Sequence, residues 1–195
     1  VMLTGFVSIN MGLFMVFGYI WRLPHDIISG NLNMHLIRPV HPYLHLMLKQ
    51  MNLRAVPRIL MGGMVVAYGL WQVSGQFQGS KIAIAGIMSL MSFLTTFMPF
   101  AMLCLTAFWL GRAEFLRDLF IELFLFQQYP LSEFPRSMII FFSLFVPLIF
   151  SATAPVLVLC QWSVARSLLV LAGMLLITVG QVLIFRLIWK KGLRR

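Results

Sequence analysis

The chain has 195 residues, of which 61% are hydrophobic and only 10% charged, with a mean hydropathy of +0.93 and a formal net charge of +10. Charged residues make up about a quarter of a soluble domain, so this composition excludes a water-soluble globular protein and implies an integral membrane one. The positive balance does not point to nucleic acid, because the basic residues sit in short loops between apolar runs rather than along one amphipathic face.

Five uncharged runs organise the chain, given that about 20 residues at 1.5 Å each cross a hydrocarbon core of roughly 30 Å. The first, residues 1–21, begins at Val1 with no initiator Met and no charged region ahead of it, so the sequence reads as a fragment of a longer protein. The second is 59–75, where Gly62, Gly63 and Gly69 offer surfaces for close helix approach. The third, 82–110, is longer than one crossing needs, and Pro99 inside it permits a kink or a break. The fourth, 137–165, carries Pro147 and Pro155; the fifth is 167–185, after which LIWKKGLRR closes a helix with basic residues and a downstream tail is expected. Cys104 and Cys160 lie inside apolar runs and read as small buried hydrophobes.

The first two runs are separated by a polar island. Between Arg22 and Arg58 lie five of the fifteen basic residues, all four histidines and a single acid, Asp26. Short loops rich in Lys and Arg stay on the cytoplasmic side, which assigns residues 22–58 and 186–195 to that side and the connections carrying only Lys81 or Arg166 to the other.

Residues 112–129 form an amphipathic helix by pattern. Glu114, Arg117, Asp118 and Glu122 recur at three- and four-residue spacing on one face, and Phe115, Leu116, Leu119, Phe120, Leu123 and Phe124 fill the other. An interfacial placement keeps those four charges out of lipid. The alternative is a spanning helix with its charged face against neighbours, which turns 137–165 into a re-entrant hairpin.

Three ordered stretches carry a family resemblance. Gly30-x-Leu32-Asn33-x-x-Leu36-Ile37-Arg38-Pro39 resembles the G-x-L-D-x-x-L-L-R-P signature of ABC-2 family permeases, the membrane subunits of one class of ATP-driven exporters, with Asn33 in place of the usual Asp. Tyr129-Pro130-Leu131-Ser132 through Phe134-Pro135, then Val146-Pro147 and Ala154-Pro155, is similar to that family's YPLS-x-FP, IP and P pattern; Trp189-Lys190-Lys191-Gly192-Leu193-Arg194 resembles its closing W-x-x-G-L-R. The similarity covers most of Gly30–Arg195.

The resemblance implies an all-α polytopic helix bundle of the ABC-2 exporter type with six spans per subunit. Five of them are expected here, in one permease domain over 1–195. It further implies a second permease subunit, identical or different, surrounding membrane lipids, and a bacterial plasma membrane location. A separate cytoplasmic ATPase would hold ATP and Mg, no cofactor being expected on this chain. Residues 23–52 would then be the coupling segment that docks on the ATPase, with Gly30, Leu32, Asn33, Leu36, Arg38 and Pro39 as contact residues. No metal or nucleic-acid site is implied.

Plainer readings stand beside these. Arg38 also serves as a topology signal or a partner for lipid phosphate, Pro39 and Pro42 set geometry, and Gly30 with Asn31 and Asn33 nearby reads as a turn. The competing class is a metal-dependent membrane enzyme acting on lipids through His35, His41 and His45: His41 and His45 share a face if helical, although Pro42 separates them and HExxH is absent. There is no GxxxxGK[ST] loop to hold phosphates, so catalysis is not expected of this chain alone. Few ionisable groups fall inside the runs, and Phe93, Phe97, Phe100, Phe141, Phe142 and Phe145 supply apolar surface, so a hydrophobic or amphipathic cargo is expected rather than a small ion; the plainer reading of the rings themselves is that they face lipid or pack between helices.

Overall fold

An apolar run in lipid has no water to satisfy its backbone, and the helix is the local solution that satisfies every N–H and C=O internally. A computed structural model of the chain describes residues 1–18, 22–31, 51–72, 79–110, 115, 118, 122, 135, 137 and 149–192. Its helices are α1 (Met2–Val16), α2 (Leu23–Ile28), α3 (Val56–Gln72, entered through a 3-10 turn at Leu53–Ala55), α4 (Gly79–Leu105), α5 (Ala107–Leu110), α6 (Ile149–Cys160) and α7 (Val164–Gly192), with no strand among the described residues. Leu53–Gln72, Gly79–Leu110 and Val164–Gly192 are each long and apolar enough to cross a membrane, and α1 is a shorter apolar helix. The chain is therefore an all-α membrane protein.

Helix ends depart from the runs for physical reasons. The fifth run was bounded by its charges, yet α7 continues through Arg166 at one end and Arg186, Lys190 and Lys191 at the other. Long cationic side chains reach out to the membrane surface while their backbone stays helical. Pro99 lies inside α4 without ending it. The interruption falls instead at Thr106, whose N–H and Oγ1 both donate to the Leu103 carbonyl, at 3.1 and 2.6 Å, tightening the last turn before α5. Pro99 removes one backbone donor, whereas Thr106 redirects the chain with two.

Helices α1 and α3 pack antiparallel with almost no side-chain layer between them. A Cβ placed on Gly62 would lie 2.8 Å from the Gly5 carbonyl oxygen and 2.9 Å from the Ile9 nitrogen, and one on Gly12 would lie 3.1 Å from the Ile59 nitrogen. Gly69 faces Met2, but Gly63 meets nothing within 4 Å. Of the three glycines of the second run, Gly62 and Gly69 are thus the contact pair, one heptad apart on a single face.

On the other side of α1, Phe14 meets Phe97 and Phe100 with ring centroids 5.6 and 5.2 Å apart, and Phe17 meets Phe93 at 5.6 Å. The phenylalanines of the third run therefore pack between helices; Phe141, Phe142 and Phe145 lie outside the described residues. Helix α6 packs on α4 and α1, and α7 packs along α4.

The α4–α7 contact contains a hydroxyl pair. Thr95 Oγ1 and Thr178 Oγ1 are 2.9 Å apart, while each also approaches a carbonyl of its own helix, Met91 at 2.7 Å and Met174 at 2.8 Å. Two protons serve three short contacts, so the interhelical bond forms only when one threonine releases its own carbonyl. A double-mutant cycle with Thr95→Val and Thr178→Val, read by unfolding in mixed micelles, is accordingly expected to give a coupling of only about 0.6 kcal/mol.

The topology separates the charges. Helix α5 packs beside α2, and its Phe108 meets Trp189 of α7, so Arg22, Arg54, Arg58, Lys190 and Lys191 share one end of the bundle, with Lys81 and Arg166 at the other. Arg166 stacks over Trp162 with its guanidinium carbon 5.5 Å from the ring.

Candidate functional site

The basic end of the bundle is where the polar connector leaves and rejoins the membrane helices. Its departure is anchored by an apolar plug. Arg22 caps α2, Pro24 occupies its first turn, where a missing N–H costs nothing, and Leu23 and Pro24 are both buried, Leu23 completely at 0% exposure. Helix α2 packs on α5 and on α4, so this short helix, with Leu23 buried in its first turn, ties the start of the connector to the third span.

Helix α2 ends quickly. The Ser29 N–H donates to the His25 carbonyl at 2.9 Å, and Gly30 follows with φ of 74°, the left-handed conformation that closes a helix and that glycine adopts without strain. Gly30 is exposed and an added Cβ there meets nothing within 4 Å, so the position is set by backbone conformation. The turn reading of this glycine therefore has a structural basis.

The return is anchored by hydrogen bonds. The Asn52 N–H donates to the Val16 carbonyl at 2.9 Å, joining the connector to the last turn of α1, and the Asn52 side-chain oxygen accepts from the Arg54 N–H at 3.2 Å to start the 3-10 turn. Arg58, one turn further on, places Nη1 3.9 Å from the Met15 sulfur. One end of the connector is thus fixed to α4 and α5 and the other to α1.

Of the six expected contact residues, Gly30 is placed as described; Leu32, Asn33, Leu36, Arg38 and Pro39 lie outside the described residues, as do His35, His41 and His45. Among the described residues no group of three His, Cys, Asp or Glu side chains is arranged to hold a metal. Within 112–129, Phe115, Asp118 and Glu122 are helical and exposed. The anchoring roles of Leu23 and Asn52 were missed by sequence reading, although an apolar-proline pair directly after Arg22 is a visible sign of a buried first turn.

A family model described as "ABC-2 family transporter protein" matches residues 1–195. The chain belongs to the ABC-2 transporter family. No curated protein and no solved structure matches the chain. The ABC-2 family match and the three spanning helices together make it a multi-pass permease of an ABC transporter. In this permease the aromatic seam, the glycine contact and the double anchorage of the connector are features of one bundle, with the connector at its basic end.

Proposed function

We propose that this ABC-2 permease forms the membrane pathway for ATP-driven export of a hydrophobic or amphipathic compound, coupled to a cytoplasmic ABC ATPase through residues 23–52. The observation that carries the reading is the double anchorage: Leu23 is buried in α2, which packs on α4 and α5, and Asn52 is bonded to the end of α1. A segment fixed at both ends conveys a push as a rigid-body displacement of two helices. The ATPase holds ATP and Mg, a second permease subunit completes the pathway, and lipids of a bacterial plasma membrane surround it.

The charge distribution supports the orientation: the end bearing Arg22, Arg54, Arg58, Lys190 and Lys191 faces the cytoplasm, where basic loops are retained and where the ATPase waits. Gly30 stops α2 and turns the chain, and the Leu36-Ile37-Arg38-Pro39 core follows as the docking element.

The test is reconstitution of the subunit with the ABC ATPase encoded beside it, measuring transport-linked hydrolysis for wild type and Arg38→Glu. Reversing a charge at a docked interface is expected to lower coupled hydrolysis at least about tenfold while the ATPase alone is unaffected. Normal coupling in the variant overturns the docking assignment, and failure of the two proteins to assemble overturns the partnership.

A further inference from the structure

Away from the basic end, the bundle holds an apolar cleft of about 270 Å³ between α1, α3, α4 and α6, lined among others by Phe6, Val66, Ile82, Gly86, Ser89 and Leu159. Of its lining, Ile82 and Leu90 on α4 are 41% and 56% exposed, while Phe6 and Leu159 are buried, so the cleft opens on the outer, apolar surface of the bundle.

Ser89 is the one hydroxyl among the described lining residues. It is only 5% exposed, and its Oγ finds no hydrogen-bond partner among the described residues. A helical serine or threonine normally satisfies its hydroxyl on a carbonyl one turn back, as Thr95 and Thr178 do in this same bundle. Ser89 and, further along the same helix, Thr96 do not, and of the two only Ser89 lines the cleft; a buried hydroxyl with no partner is costly enough to need an explanation. A bound molecule supplies one.

Two glycines point the same way. Gly63 and Gly86 stand on the two sides of the cleft, and a Cβ on either would meet nothing within 4 Å, unlike the tightly packed Gly5, Gly12 and Gly62. Glycine lowers helix stability relative to alanine. Without close packing to justify them, these two keep the cleft open.

Size and depth restrict the occupant. A cavity of about 150 Å³ takes benzene, so this one suits a molecule of roughly ten to twelve heavy atoms. Ser89 is eight residues from Lys81, roughly 12 Å along the axis, which puts its hydroxyl well inside the hydrocarbon and out of reach of phospholipid esters at the surface. Acyl chains reach that depth but offer Ser89 nothing to bond. From these observations we infer that the cleft binds a small uncharged amphipathic molecule, an alcohol, phenol or ketone, which enters sideways from the bilayer and hydrogen-bonds Ser89.

Photolabelling tests this in the full chain in phosphatidylcholine vesicles without ATP, so the outcome does not depend on transport or on the ATPase. The probes are a diazirine-bearing octanol, the matching diazirine octane, and a phosphatidylcholine with a diazirine in its acyl chain. The octanol is expected to label Val66 and residues 82–90 saturably and about tenfold more strongly than the octane, the scale of one buried hydrogen bond. Ser89→Ala should erase the preference, and Gly86→Leu or Gly63→Leu should block both small probes while thermal unfolding stays near wild type. Equal labelling by octanol and octane, an unchanged preference in Ser89→Ala, or displacement of octanol by the acyl probe would each overturn the assignment.

Discussion

Gly62→Leu is expected to destabilise the bundle by about 3 kcal/mol or more, the upper range for overpacking, because the new side chain meets backbone rather than flexible atoms. Even the first carbon falls 2.8 Å from the Gly5 carbonyl oxygen and 2.9 Å from the Ile9 nitrogen. Helices α1 and α3 must separate to admit it, and the aromatic seam from Phe14 and Phe17 to α4 resists that movement from the other side of α1. Against a typical folded-state margin of 5–15 kcal/mol, such a loss should appear as a lowered unfolding midpoint in detergent and reduced yield of assembled permease. The neighbouring Gly63→Ala is the control, since its Cβ meets nothing within 4 Å and alanine is the better helix former. If both variants unfold like wild type, close approach of α1 and α3 does not hold the bundle together.

That pair of glycines also marks how far the sequence could be read. Absence of charge over 59–75, 82–110 and 167–185 locates helices that cross lipid, because nothing else satisfies the backbone there. Which face of a helix meets which neighbour is a property of two segments at once. The letters at 62 and 63 are identical, and the different fates of those two positions come from α1, not from α3. The same limit applies at 99 and 106: proline announces a lost donor, but the interruption depends on where a threonine hydroxyl finds a carbonyl. At the candidate site, Gly30 was legible as a turn because glycine next to asparagine is a local signal. For Leu23 the apolar-proline pair after Arg22 signals a buried first turn, but what buries it was not legible, since α5, on which α2 packs, lies more than eighty residues away.

Leu23→Ala is expected to uncouple the permease while leaving it bound to its ATPase. The side chain is completely buried, so truncation leaves a cavity and costs roughly 2–5 kcal/mol locally. What is lost is the grip of the connector on α5 and α4. From there the contact passes to α7, because Phe108 meets Trp189 edge-on at 6.2 Å and packs over Gly192, where an added Cβ would fall 2.5 Å from the ring. The opposite end of the connector stays attached, since the Asn52 N–H and the Val16 carbonyl are backbone groups that the substitution does not touch. A push arriving from the ATPase then moves α1 and α3 but slips against α4 and α7. Transport-linked hydrolysis should fall about tenfold, while co-purification of the ATPase is retained because the docking core proposed at Leu36–Pro39 is unchanged. Asn52→Ala removes only the cap on the Arg54 N–H, worth about 1 kcal/mol, and is expected to couple nearly as wild type. Loss of ATPase binding in Leu23→Ala would instead make α2 part of the docking surface, and wild-type coupling would show that force reaches the bundle through the α1 end alone.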